Sequence, residues 1–450
     1  MERPGILSLA DKWFGVSQRS SSWAREIAGG LTTFAAMAYI LAANPAILSA
    51  TGMDKPALVS ATAILAGLST LVVGLWARFP LALAPGMGLN AYFAFTLCGA
   101  GNVPWQAGLG IVFASGILFF ILSMTPARSR MVQAFPVSLR AGISAGIGAF
   151  LLFLGLQNAG LIVDDPVTLL AGNPDFSLKL AVICVGVAGG VWMVERQIPG
   201  SLLIAVLAVA LAGLFLDGTD DGTRMTSLPG QFLAAPASLD PIAFKFDWNF
   251  LSENMPVFLG AVLTFLLVDL FDTTGTLVGV GQRAKSHGNT QEDFQVASAR
   301  IMKVDAASTA VGAALGTSPV TSYIESCAGI ESGARTGMAS VVTGICFLAS
   351  LWLWPVILAI PPEATSVALI VVGLLMIRSL ESLNFSRMVD YFPAAVCVFL
   401  IPMTFSISHG IALGYLCFVA VSILGGEIRK LSVAQWILGA IFMALLAFGA

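Results

Sequence analysis

The sequence predicts an all-α polytopic membrane protein of about fourteen transmembrane segments, arranged as two inverted seven-segment repeats. Three observations carry this prediction: composition, the spacing of apolar runs, and the sidedness of basic residues. Of 450 residues, 57% are apolar and 10% charged, and the mean hydropathy is +0.89. Soluble domains carry about a quarter charged residues, so this chain cannot cover a water-facing surface. Runs such as Leu202–Leu216 and Val341–Ile360 approach or reach the roughly 20 residues that cross a bilayer as a helix. The expected surroundings are therefore lipid.

Read in order, spans 1–7 fall near 28–49, 57–77, 82–98, 105–124, 140–162, 178–194 and 200–216. Spans 8–14 fall near 255–281, 301–316, 319–330, 338–360, 364–377, 391–407 and 409–425. A last apolar stretch at 433–449 either spans or lies along the interface. The first apolar run begins only near Ala28 and continues as a span, so no cleavable signal is expected.

With the N-terminus in the cytoplasm, eighteen basic residues fall inside: Arg3, Lys12, Arg19, Arg25, Arg78, Arg128, Arg130, Arg140, Arg196, Arg283, Lys285, Arg300, Lys303, Arg335, Arg378, Arg387, Arg429 and Lys430. Four fall outside, namely Lys55, Lys179, Arg224 and Lys245. Positive charge is retained on the cytoplasmic side during insertion, and a wrong span count would have scrambled this bias. The expected location is a bacterial-type inner (plasma) membrane. Residues 217–254 read as an outer linker, acidic through Asp217, Asp220, Asp221, Asp240, Asp247 and Glu253.

That linker separates a first repeat (1–216) from a second (255–450). Seven spans per half force opposite entry into the membrane, a common plan for secondary transporters. Thr33-Phe34 of span 1 recurs as Thr264-Phe265 of span 8, an offset of 231, and Pro85 of span 3 recurs as Pro319 of span 10, an offset of 234.

Spans 3 and 10 are interrupted. Span 3 reads Leu81-Ala-Leu-Ala-Pro-Gly-Met-Gly-Leu-Asn-Ala-Tyr92, and span 10 reads Gly316-Thr-Ser-Pro-Val-Thr-Ser-Tyr-Ile-Glu-Ser326. Each is expected to start extended and become helical partway across. The break frees backbone groups beside a helix N-terminus. A Pro-kinked helix without a site is the competing account, and the matched positions in both halves favour a site.

Acids cluster around these breaks. Asp269 and Asp272 sit three apart on span 8, and Glu325 follows the break of span 10, with no Lys or Arg in these stretches. A charge at bilayer centre costs about 2.5–3.5 kcal/mol even on insertion scales. Such groups must face a polar cavity, be protonated, or both, although capping a broken helix would also explain a carboxyl there. A buried acid that alternates between neutral and charged forms can carry a proton across, so Asp272, Glu325 and Asp269 are the coupling candidates. Asn90 adds an amide from span 3. The set repels anions and suits a flat neutral ligand with ring N–H donors; a metal ion or small amine fits as well. Tyr39, Phe93 and Phe271 could wall the pocket.

Other chemistries find less support. The six cysteines (Cys98, Cys184, Cys327, Cys346, Cys397, Cys417) are scattered in apolar segments, so neither disulfide nor metal is expected. His287 and His409 have no near partner, which disfavours a membrane-embedded enzyme. A channel would need a selectivity ring. A same-fold carrier of oxyanions such as sulfate or bicarbonate would need a basic residue in the pocket.

The motifs Ala84-Pro-Gly-Met-Gly-Leu-Asn-Ala-Tyr-Phe93, Asp269-Leu-Phe-Asp-Thr-Thr-Gly-Thr276 and Gly316–Ser326 resemble the AzgA-like purine permeases, a branch of the nucleobase–ascorbate transporter superfamily. The likeness runs from Glu26-Ile-Ala-Gly-Gly-Leu-Thr-Thr-Phe34 through span 14. It implies a core domain (spans 1–4 and 8–11), a gate domain (spans 5–7 and 12–14) and elevator-type sliding between them. The implied activity is import of adenine, guanine or hypoxanthine by symport with H+, alternatively Na+, with no cofactor and no nucleic-acid partner. Substrate positions map onto Glu325, Asp272, Gly88 and Asn90, with Thr276 near the base, and Met87 and Ile324 offering backbone groups. Asp269 stands behind them. A homodimer through gate surface is compatible, since such surface would be as apolar as that facing lipid. The 433–449 stretch has no counterpart in the first half and departs from the pattern.

Overall fold

The computed structural model describes residues 11–19, 21–125, 134–166, 169–175, 177–217, 224–286, 291–428 and 431–448. Arg3, Arg128, Arg130, Asp220, Asp221, His287, Arg429 and Lys430 lie outside them. Among the described residues, nine helices are long and apolar enough to cross a membrane. The other expected spans fall short for identifiable reasons. Span 7 (Ser201–Ala212) and span 13 (Met388–Thr404) are short, and spans 3 and 10 are broken. Span 9 is long but polar at its start: it runs over Gln291–Leu315, ten residues earlier than the apolar run indicated. The stretch after span 14 is a helix, Val433–Phe448.

Local chemistry sets the boundaries. Asp54, Ser177 and Ser406 precede spans 2, 6 and 14 and accept the N–H groups of Ala57, Leu180 and His409, which satisfies first-turn donors. Glu26, wholly buried at the start of span 1, accepts from the backbone of Arg335 (2.9 Å) and Thr336 (3.2 Å) and fixes the entry to span 11.

Among the described residues, four short strands occur: β1 (Leu83–Pro85), β2 (Ile162–Asp165), β3 (Leu169–Gly172) and β4 (Val320–Ser322). β2 and β3 form a hairpin between spans 5 and 6 that the hydropathy pattern did not reveal. β1 and β4 are the extended openings of spans 3 and 10. They pair antiparallel, with Leu83 opposite Ser322, Ala84 opposite Thr321 and Pro85 opposite Val320.

One threonine ties down each of these strands. Thr70 of span 2 donates to the carbonyl of Leu83 and accepts its N–H, both at 3.0 Å. Thr309 of span 9 does the same for Val320, at 3.2 and 3.1 Å. Spans 2 and 9 are the second segments of their repeats, so the two halves solve the same backbone problem in the same way.

The helices pack in two groups. Spans 1, 2, 4, 8, 9 and 11 surround the crossed strands, while span 5 packs on spans 12 and 13, and span 12 on spans 6 and 7. Glycines permit the tightest crossings: a side chain on Gly74 would meet the carbonyl of Gly337, and one on Gly148 that of Gly373. Small residues at such crossings are how helices approach closely in lipid, where no hydrophobic force drives them together. The 224–253 linker crosses one face, bonding Ala314 (from Phe244), Gln106 (from Asp247) and Trp352 (from Ala234).

Candidate functional site

The strand pair places two helix beginnings back to back in the middle of the bundle. Span 3 turns helical at Met87 and span 10 at Ser326. The crossing is cross-braced: Tyr323 Oη donates to the carbonyl of Pro85 at 2.5 Å, and Ser326 Oγ accepts from Ala82 N at 3.0 Å.

Four carboxyl groups gather around it. Glu325, the residue before the span 10 helix, is half-buried and accepts from Tyr39 Oη of span 1 at 2.9 Å. Asp272 of span 8 is also half-buried and accepts from Thr321 Oγ1 of β4 at 3.1 Å. Both flank β4, Asp272 through its bond to Thr321 and Glu325 three residues after Ser322. Asp269, one turn earlier, is buried and accepts from Thr309 at 3.3 Å. The fourth is Asp305 of span 9, wholly buried and hydrogen-bonded by Thr273, whose hydroxyl also lies 3.1 Å from that of Thr321. Asp305, Thr273, Thr321 and Asp272 thus form a continuous polar chain. One oxygen each of Asp269 and Asp305 is buried without a hydrogen-bond partner.

No Lys or Arg bonds any of these acids among the described residues. The ion pairs sit elsewhere, as in Arg283 with Glu331 and Lys179 with Glu363. Acids without cations are tolerable at this depth only where a polar ligand, water or a proton reaches them.

The other expected positions are distributed around the same point. Asn90 is wholly buried, its Oδ1 bonded by Ser318 and its Nδ2 unpartnered. Gly88 faces Ile147 of span 5, so it lies where the two helix groups meet. Met87 is buried, and Thr276 is half-buried one turn beyond Asp272. Ile324, expected to offer backbone, has a side chain 48% exposed that lies beside Gly279 of span 8. Two of the three expected aromatic walls are elsewhere. Phe93 is wholly buried against Gly108 of span 4, and Phe271 stacks on Phe135 at 4.5 Å. Tyr39 is present but works through its hydroxyl.

Asp305, Thr273, Thr309 and Ser318 were not singled out from the sequence. The only signal for Asp305 was an acid within an otherwise apolar run, and nearby Lys303 disguised it as a polar helix start.

From Asp272, positions 275, 278 and 282 of span 8 are exposed, a stripe along one helix face. The stripe runs from Asp272 toward Arg283. At the opposite, linker-covered face the two helix groups are joined. Tyr92 Oη and Ser408 Oγ lie 2.7 Å apart, and Thr96 Oγ1 donates to the carbonyl of Phe405 at 2.5 Å. Phe405 has φ +50° and packs edge-on against Phe150 and Phe153. A separate apolar groove between spans 4 and 9 is lined by Ile117, Phe120, Ala307 and Ala310 and by none of the four acids.

Fold and site together define a multi-pass membrane permease. Residues 24–413 match the sequence model of a permease family, Xan_ur_permease. The chain is 35% identical to the adenine permease AdeP of Escherichia coli (strain K12) over 98% of its own length and 96% of that protein. It is likewise 35% identical to the guanine/hypoxanthine permease PbuG of Bacillus subtilis (strain 168), covering 97% of this chain and 99% of PbuG. The fold is similar to the transmembrane domain of a cyanobacterium bicarbonate transporter, BicA, with TM-score 0.62 and 14% identity over 87% of this chain and 97% of that one. It is also similar to the murine anion transporter Slc26a9, with TM-score 0.61 and 13% identity over 94% and 73%. The chain belongs to the Xan_ur_permease family, within the nucleobase–ascorbate transporter superfamily, and is a permease rather than an enzyme.

Proposed function

We propose that this permease imports purine nucleobases across a bacterial-type inner membrane, by symport with protons or, alternatively, sodium. The observation that carries the reading is the pair Asp272 and Glu325: half-buried, without a basic partner among the described residues, and both flanking β4, one of the two paired extended segments. Two carboxylates accept from ring N–H groups of a purine, and the unpartnered Nδ2 of Asn90 supplies a donor to a ring or exocyclic acceptor. Glu325 grips the ring, with Tyr39 setting its rotamer. Asp272 completes the grip and links occupancy to the coupling ion, and Asp269 supports both from behind. The relatives' names point to the same substrate class.

Spans 1–4 and 8–11 move as the core against spans 5–7 and 12–14 as the gate. In this reading the exposed stripe from Asp272 toward Arg283 lines a crevice that opens to the cytoplasm, in keeping with the charge bias, and the Tyr92–Ser408 and Thr96–Phe405 bonds close the outer face. The fold neighbours are a bicarbonate transporter and an anion transporter, but an acid-lined pocket disfavours such cargo here.

Purified protein tested for thermal stabilisation by nucleobases, oxyanions and small amines separates the readings. Ligand at 100 times its Kd stabilises by about 2.7 kcal/mol. A shift with purines alone is expected. A shift with sulfate or bicarbonate and none with purines would overturn the assignment.

A further inference from the structure

Most of the helical glycines near the core are explained by crowding: Gly29, Gly74, Gly148 and Gly337 would each drive an added side chain into the backbone of a crossing helix. Gly275 is different. It lies inside span 8, where glycine weakens a helix relative to alanine, yet nothing stands within 4 Å of the position its side chain would take. Helix packing therefore gives no reason for it. What distinguishes its position is the neighbourhood. It is exposed, one turn beyond Asp272, beside Thr276 and on the face that continues to Gly279, where the Ile324 side chain lies. A missing side chain at that point is room next to a substrate-gripping carboxylate.

We propose that Gly275 sets the size limit of the substrate pocket, the space beside Asp272 receiving an exocyclic substituent of the base. This rests on the purine reading above. A side chain at 275 projects into the crevice without disturbing any helix contact. It narrows the pocket and leaves the carboxylates in place, and Ile324 then bounds the substituent from the other side.

The test measures binding by purified wild type, Gly275→Ala and Gly275→Leu to two ligand pairs. Hypoxanthine and guanine differ by a 2-amino group; adenine and N6-methyladenine differ by a 6-substituent. Discrimination against the larger member of at least one pair is expected to rise about tenfold in Gly275→Leu and about threefold in Gly275→Ala. The alanine form favours helix and decides the matter should the leucine form fail to fold. Gly189→Leu in span 6, likewise without neighbours within 4 Å, should leave both ratios unchanged. Unaltered ratios in the Gly275 variants overturn the size limit while leaving purine binding intact. A wild type that binds neither pair overturns the purine reading itself.

Discussion

Cells producing the Glu325→Gln form are expected to take up labelled hypoxanthine, guanine or adenine at least about a hundredfold more slowly than wild type at limiting concentration. Glutamine keeps the size of the side chain, and its carbonyl still accepts from Tyr39 Oη, so the local packing survives. What is lost is the charge, and with it one acceptor oxygen, which becomes an NH2 facing ring N–H donors. Hydrogen bonds to charged groups contribute about 1.5–3 kcal/mol each, and the replacement sets donor against donor. A loss of about 3 kcal/mol corresponds to a factor of about a hundred. The protein should remain folded, with its thermal midpoint close to that of wild type. Uptake within a few-fold of wild type would remove Glu325 from the substrate site.

The Asp272→Asn form is expected to separate exchange from accumulation. Reconstituted in proteoliposomes with an imposed inward gradient, wild type should concentrate purine on the side lower in the coupling ion. Asp272→Asn should bring the internal concentration no higher than the external one, at any gradient of H+ or Na+. It should still exchange external for internal purine, more weakly, because Thr321 can hold an amide in place of the carboxylate. Asp272 is half-buried and is joined through Thr321 and Thr273 to the wholly buried Asp305. Under the proposed function it is therefore the acid that links the cargo to the interior pair. An accumulation ratio equal to that of wild type would reassign coupling to Asp269 or Asp305.

Much of the architecture was legible from residues with a plain physical meaning. Pro85 and Gly86 in one half, and Pro319 in the other, cannot sustain a helix, and they mark β1 and β4. The apolar runs located the segments, nine of which are helices long and apolar enough to cross a membrane among the described residues. Asp272 and Glu325 stood out because an acid in an apolar run is rare.

What was hidden depended on neighbours rather than on residue type. Thr70, Thr309 and Thr273 are ordinary in sequence and acquire meaning only because a strand or an acid is pressed against them. Asp305 was masked by the polar start of span 9. Phe93 lies three residues from Asn90 in sequence, and only the packing shows that its ring turns toward Gly108 of span 4. The β2–β3 hairpin lies in a loop, where hydropathy says nothing about pairing.

The most direct measurement is an experimental structure of the protein with a purine bound. The account predicts a flat ring beside the β1–β4 crossing, with its nitrogens about 2.7–3.2 Å from the carboxylate of Glu325 and one edge against Asp272. Purine lodged in the apolar groove between spans 4 and 9 or under the linker, with both carboxylates untouched, would contradict it.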